Sequence, residues 1–187
     1  MGSRTKRRMV APPDAARLAV AKHPEAEPIA VFAYGSNLVA EQMRHRCPSA
    51  TRGAMPAQLP GWRLAFSGWS AGWGGAVATV ERSKGSTVEG VVWWVSAADL
   101  AALDGYEGVP AVYQRKRVTV HGWHTSVEAW LYVRKAAALG APSYRYFAAC
   151  LAGRLEHGLS TADVVEAAER SAQAAWELGE NDEPSVH

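Results

Sequence analysis

Cysteine is scarce in this chain: Cys47 and Cys150 are the two thiols among 187 residues. Two cysteines make no disulfide framework, and no Cys/His pair stands at zinc-ligand spacing, so no metal site is read. An excess of one charge is also lacking. Twenty Lys and Arg face eighteen Asp and Glu, and Arg4, Lys6, Arg7 and Arg8 sit together in the N-terminal tail, which leaves the remainder slightly acidic. No basic nucleic-acid-binding domain is implied, and the short basic tail reads as a solvated segment. Long apolar runs are missing too. None approaches the ~20 residues that span a bilayer. Arg7-Arg8 is not read as part of an export signal, because Pro12, Pro13 and Asp14 interrupt the apolar core such a signal needs. A cytoplasmic protein with no membrane and no nucleic-acid partner is the expectation, as monomer or homodimer.

What is present is ordinary globular composition with one oddity. Hydrophobic residues make up 48% and charged residues 20%, enough for one packed domain at this length. There are no repeats and no linker. The expected division is a tail over 1–27 carrying a short helix at Asp14–Lys22, a single domain over 28–178, and an acidic tail over 179–187. The oddity is eight Trp, most of them in three stretches: Trp62 to Trp73, Trp93-Trp94 and Trp123 to Trp130.

The chain is best read outward from Pro28 to Leu38. Its apolar start, with Val31 and Phe32, predicts a buried strand. Gly35 then offers backbone freedom, Ser36 and Asn37 are strong helix caps, and Leu38 to Arg46 predicts a helix ended by Pro48. Strand, glycine turn and helix start together leave backbone N–H groups able to hold an anion or a developing oxyanion. An ordinary, well-capped connection fits the same residues.

Further along, Gln58 to Ser67 predicts a strand with Trp62, Leu64 and Phe66 on one face and Arg63 and Ala65 on the other. Gly68 to Gly75 reads as a Trp-bearing loop. Ala76–Glu81 and Val88–Val95 read as strands joined by a hairpin-like turn at Lys84-Gly85-Ser86. Ser96, with Asp99 three residues on, caps a short helix to about Leu103. Val112 to Val120 and Ser126 to Val133 alternate as a strand pair. Pro142-Ser143 opens a helix that ends at Gly158, and Ser160-Thr161 opens the last, to about Leu178. Strands at hairpin spacing with few helices and no regular alternation predict an α+β fold. Its simplest form is a curled or closed, largely antiparallel sheet with helices at its ends.

Glu107 is the most suggestive carboxylate. It stands between Gly105 and Gly108, with Leu103, Tyr106, Val109 and Tyr113 nearby to shield it. Partial burial would raise its pKa from ~4.3 toward the ~6–7 that suits a general base; a solvated turn carboxylate is the plainer reading. Other chemistries fail sooner. Tyr34-Gly35-Ser36-Asn37 lacks the second glycine of a nucleophile elbow. Gly72, Gly74 and Gly75 are not followed by Gly-Lys-Ser/Thr, so they form no phosphate loop. His45, His121, His124 and His157 are scattered and read as surface residues, while Cys150 reads as core. Tyr146 fits two placements: a core aromatic, or a hydroxyl directed into a site at the barrel mouth.

Four features in order resemble the γ-glutamylcyclotransferase family: Tyr34-Gly35-Ser36-Asn37-Leu38; Arg46-Cys47-Pro48-Ser49-Ala50; Trp73-Gly74-Gly75-Ala76 entering a strand; and Leu103-Asp104-Gly105-Tyr106-Glu107-Gly108-Val109. Pro142-Ser143, Tyr146, Gly153 and Gly158-Leu159 fit the family's closing helix, so the resemblance covers roughly Val31 to Leu159. It implies a small mixed α+β barrel flanked by helices. It also implies a cofactor-free reaction in which a γ-glutamyl amide cyclises to 5-oxoproline and releases its amine. By that resemblance Glu107 is the acid/base, Tyr34, Gly35, Ser36, Asn37 and Leu38 hold the γ-glutamyl group, and Tyr146 helps to position it.

Three activities compete. The first is cyclisation of small γ-glutamyl amines or amino acids, with glutathione ranked lower because glutathione-specific members carry a shorter Tyr-Gly-Ser motif. The second is removal of a γ-glutamyl protecting group from a biosynthetic intermediate, with Trp69 and Trp73 accommodating a larger amine. The third is a non-enzymatic barrel that binds a ligand or single-stranded nucleic acid through Trp69, Trp73, Arg63 and Arg82. The near-balanced charge speaks against the third.

Overall fold

The computed structural model describes residues 27–181, with side chains through Leu178. Residues 1–26 of the N-terminal tail, with the helix expected at Asp14–Lys22, and residues 182–187 of the acidic tail lie outside the described residues. Five strands, β1 (Ile29–Ala33), β2 (Met55–Ser70), β3 (Gly75–Val95), β4 (Tyr113–His121) and β5 (Ser126–Arg134), close into a barrel. Around the barrel the order is β1, β3, β2, β4, β5. All neighbours are antiparallel except β1 and β5, which run parallel with Val31 opposite Trp130 and Phe32 opposite Leu131. This is the mixed, largely antiparallel α+β barrel the sequence implies. Its filling comes from alternating strand positions such as Phe32, Leu59, Phe66, Val88, Val91 and Leu131, all essentially inaccessible to solvent.

Four helices, α1 (Ala40–Arg46), α2 (Ala97–Tyr106), α3 (Tyr144–Glu156) and α4 (Ala162–Asn181), surround the barrel. Ser96 caps α2 by accepting from the Asp99 N–H at 3.1 Å, and Ser143 caps α3 by accepting from Tyr146 N–H at 3.2 Å. Both caps are where the sequence puts them, because each is satisfied within its own turn. Helix α4 runs three residues past Leu178 and lies along β2, where Ser171 accepts from the Phe66 backbone N–H. Ala65, expected on an outer face, is therefore buried.

Three further expectations need correction. First, β3 is one continuous strand, with no hairpin at Lys84-Gly85-Ser86. Pro60 pairs with Thr87 and Trp62 with Arg82, so Ser83 to Ser86 stand opposite Gly61 alone. The residues that signal a turn build a large bulge instead, with Gly85 at φ +84° and the Ser83 and Ser86 hydroxyls 2.8 Å apart. The chain keeps its direction because β2 pairs with it on both sides of the bulge. Second, the glycine-rich loop is only Ala71 to Gly74, since Ser70 already pairs with Gly75.

Third, Ser36 and Asn37 are not helix caps. They form a single 3-10 turn, Ser36–Leu38, and α1 starts two residues later behind Val39 without a side-chain cap of its own. Its N-terminal Ala40 N–H is met from across the fold by Glu156 of α3, at 3.1 Å. That helix can come close because Gly153 faces the turn, where an added Cβ would lie 2.5 Å from the Leu38 Cβ.

Candidate active site

The end of β1 and the end of α2 meet at one mouth of the barrel. Beyond Ala33 the chain makes the Ser36–Leu38 turn, closed by a hydrogen bond from Leu38 N–H to the Gly35 carbonyl at 3.0 Å. The N–H groups of Ser36 and Asn37 precede that bond and have no helical partner. The turn is pinned from below. Trp93 Nε1 donates to the Asn37 carbonyl at 3.0 Å, and a ring nitrogen of His157 lies 2.7 Å from the Leu38 carbonyl. His157, read from sequence as a surface residue, is thus half-buried and stacked edge-on against Trp93, whereas His45, His121 and His124 are exposed. Ends of strands turn into site-bearing loops because their last residues are held rigidly by the sheet.

Gly35 is required by close approach and not by its φ, which is −115°. A Cβ there would come within 3.0 Å of both the Tyr146 hydroxyl and the Ala78 Cβ. Tyr146 is buried, its oxygen accepting the Ala78 N–H at 3.1 Å. Tyr146 is thus a buried aromatic that also lines the inner recess. The segment before α3 reaches this position by pairing across the barrel end, with Ala76 N–H donating to the Ala141 carbonyl and Gly68 N–H to that of Ala138.

Glu107 immediately follows α2, its N–H donating to the Leu103 carbonyl at 2.9 Å. Its side chain is 14% exposed. Asn37 Nδ2 donates to Glu107 Oε1 at 2.8 Å, while Arg46 Nη1 donates to Asn37 Oδ1 at 2.8 Å and lies 3.5 Å from the same carboxylate oxygen. Gln42 Nε2 completes the cluster by donating to Ser36 Oγ at 3.0 Å and Asn37 Oδ1 at 3.2 Å. Burial pushes the Glu107 carboxyl above the usual carboxylate range, opposed by the Asn37 hydrogen bond and the Arg46 charge. Burial, the Asn37 hydrogen bond and the Arg46 charge thus all act on this one carboxyl.

Glu107 faces two connected spaces. An inner recess of about 40 Å³ is walled by the Tyr34–Asn37 turn, Ala78 and the rings of Tyr113, Tyr132 and Tyr146. An outer cleft of about 290 Å³ shares Ser36, Glu107, Tyr113 and Tyr146 with it and is walled further out by Arg46, Trp69, Trp73, Tyr106 and Arg134. Leu38 is fully buried and supports the turn from behind without lining either space. Burial holds the phenols of Tyr34, Tyr113, Tyr132 and Tyr146 above their ordinary pKa, so they remain protonated. Burial likewise pushes Cys47 up to about 11 and Cys150 to about 12, which leaves neither thiol ionised at neutral pH. Among the described residues no group of three His, Cys, Asp or Glu side chains could hold a metal ion.

The structure therefore brings together Tyr34, Gly35, Ser36, Asn37, Glu107 and Tyr146, which the sequence singled out. It adds Arg46, Gln42, Tyr113, Tyr132 and Arg134. Arg46 lies nine residues after Asn37 across a turn and a short helix, and no local pattern ties the two. Trp69 and Trp73 border the outer cleft, whereas Arg63 pairs with Glu81 and Arg82 stacks on the Trp62 ring at 4.1 Å.

Known proteins are similar to this chain in sequence and fold. The human protein named gamma-glutamylcyclotransferase is 34% identical over 144 residues, covering 73% of this chain and 75% of its own length. Its mouse counterpart is 34% identical over 143 residues, 72% of this chain and 74% of its own. A solved structure described as a gamma-glutamyl cyclotransferase superposes with a TM-score of 0.70 at 30% identity, covering 75% of this chain and 86% of that one. Residues 31–147, from β1 through the tyrosine of α3, match the family model described as gamma-glutamyl cyclotransferase, AIG2-like. The barrel, its two meeting turns and these matches together assign the chain to the γ-glutamyl cyclotransferase family.

Proposed function

We propose that the protein converts a γ-glutamyl amine or γ-glutamyl amino acid to 5-oxoproline and the free amine, with Glu107 as general acid and base. One observation carries the reading: a shielded carboxylate with a raised pKa is hydrogen-bonded to the turn that follows β1, beside the inner recess. The substrate's own α-nitrogen is the nucleophile, so the absence of an ionised thiol or a triad is no obstacle. That nitrogen bonds to the γ-carbonyl carbon, and the bond from this carbon to the leaving nitrogen breaks. The α-nitrogen passes from ammonium to lactam N–H and the leaving nitrogen from amide N–H to ammonium. Two protons thus move between them, and Glu107 carries each in turn. Ser36 and Asn37 N–H groups hold a substrate oxygen, and Tyr146 helps to position the chain. Bending the γ-glutamyl group into this geometry supplies an effective molarity on the order of 10⁵–10⁸ M.

The test is 5-oxoproline release from γ-glutamyl-alanine, alongside the Glu107→Gln protein. Release by the native chain and its loss in a folded variant is the expected result. Full activity in that variant would overturn the role of Glu107, and no release from any γ-glutamyl compound would overturn the activity.

A further inference from the structure

We infer that Arg134 binds a carboxylate on the leaving amine, so that the outer cleft selects γ-glutamyl amino acids over γ-glutamyl amines without an acidic group. The inference rests on the cyclotransferase reading of the site and assigns the part of it that reading leaves open.

Glu107 divides the cavity. Every residue of the Tyr34–Asn37 turn borders the inner recess, and of these only Ser36 reaches the outer cleft. With the γ-glutamyl group inside and the scissile bond beside Glu107, the departing amine extends into the outer cleft. Two arginines of the chain face it, Arg46 and Arg134. Arg46 is committed to Glu107 and Asn37 and covers the Tyr106 ring at 5.0 Å. Of these two, Arg134 has no carboxylate partner among the described residues.

Arg134 is nonetheless held in place. It closes β5 opposite Tyr113, and its backbone N–H donates to Thr79 Oγ1 at 3.1 Å. Its guanidinium lies 5.7 Å from the centroid of the Tyr113 ring, is 3.5 Å from the Trp69 carbonyl, and rests against Gly68, where any Cβ would collide with it. A planar cation fixed by stacking and lacking its counter-charge is preorganised for a bidentate carboxylate. Trp73, packed edge-on against Tyr146 at 4.9 Å and covered by Arg145, forms the apolar wall beside it.

The experiment compares kcat/KM for γ-glutamyl-alanine and γ-glutamyl-propylamide in the native protein, Arg134→Gln and Arg134→Lys. The native protein should favour γ-glutamyl-alanine by roughly 10- to 100-fold, the worth of one charged hydrogen-bonded contact. Arg134→Gln should lower kcat/KM for γ-glutamyl-alanine more than for the propylamide, so that the preference falls, and Arg134→Lys should keep part of it. Equal native rates on the two compounds, or equal losses on both in Arg134→Gln, would overturn the role of Arg134 while leaving the cyclotransferase reading intact. The native comparison stands even if the variant does not fold. No 5-oxoproline from either compound would overturn both readings.

Discussion

Asn37 Nδ2 and Glu107 Oε1 lie 2.8 Å apart although 70 residues separate them in the chain. Arg46 reaches both side chains, so the turn after β1, the end of α1 and the end of α2 share one polar cluster. The contact ties the proton-handling group to the loop that walls the recess. It also opposes the burial that raises the carboxyl.

Removing either opposing partner should therefore move activity along the pH axis. Asn37 and Arg46 both favour the ionised form of Glu107, so Asn37→Ala and Arg46→Gln should each shift the acid limb of kcat/KM to higher pH. A limb that stays put in both variants would assign it to another group.

Glu107→Gln should cost activity and spare stability. Loss of a general acid/base lowers the rate by about 10²–10⁴-fold. Its carboxyl is raised in the folded state, so the native protein binds that proton more tightly than the unfolded chain does. The stability this gives is present below the unfolded pKa and is lost as pH rises through the folded one. Glutamine has no charge to desolvate, so the variant's Tm relative to the native protein should improve from pH 4 toward pH 8. A constant difference across that range would contradict the burial argument.

Gly35→Ala should be destabilising by about 1–3 kcal/mol, as overpacking a filled site usually is. The added carbon meets the Tyr146 hydroxyl and the Ala78 Cβ at 3.0 Å, so activity should fall with stability. Gly105→Ala is the contrast: it lies in α2 with nothing within 4 Å and should be neutral or stabilising by up to about 1 kcal/mol. Denaturant midpoints of the two variants check the difference.

Tyr146→Phe deletes the acceptor for the Ala78 N–H inside the core and should cost about 1–3 kcal/mol. Its kcat/KM for γ-glutamyl-alanine should drop as well, measured at a temperature where the variant remains folded. Unchanged turnover would leave that hydroxyl a purely structural role.

Local signals were readable wherever a residue is satisfied by near neighbours. The caps at Ser96 and Ser143, the break at Gly158 and the β4–β5 pair all follow from residues within a few positions of one another. Signals that need a distant partner misled. Lys84-Gly85-Ser86 has turn chemistry, yet β2 holds both flanks and turns it into a bulge. Ser36 and Asn37 have cap chemistry, yet Gln42, Arg46 and Glu107 engage their side chains and Glu156 serves α1 in their place.

The candidate site divides along the same line. Glu107 stands out as a glycine-flanked carboxylate, whereas Tyr34 to Leu38 and Tyr146 are candidates through the family resemblance, and Leu38 among them is buried behind the turn. Burial of Glu107, its direct hydrogen bond to Asn37, and Arg134 facing the outer cleft without a carboxylate partner among the described residues arise from barrel closure. Closure brings β1, β5 and the end of α2 to one mouth. Desolvation and charge pairing depend on what lies within a few ångströms in space, so strand order and register, and not proximity along the chain, set the electrostatics of this cleft.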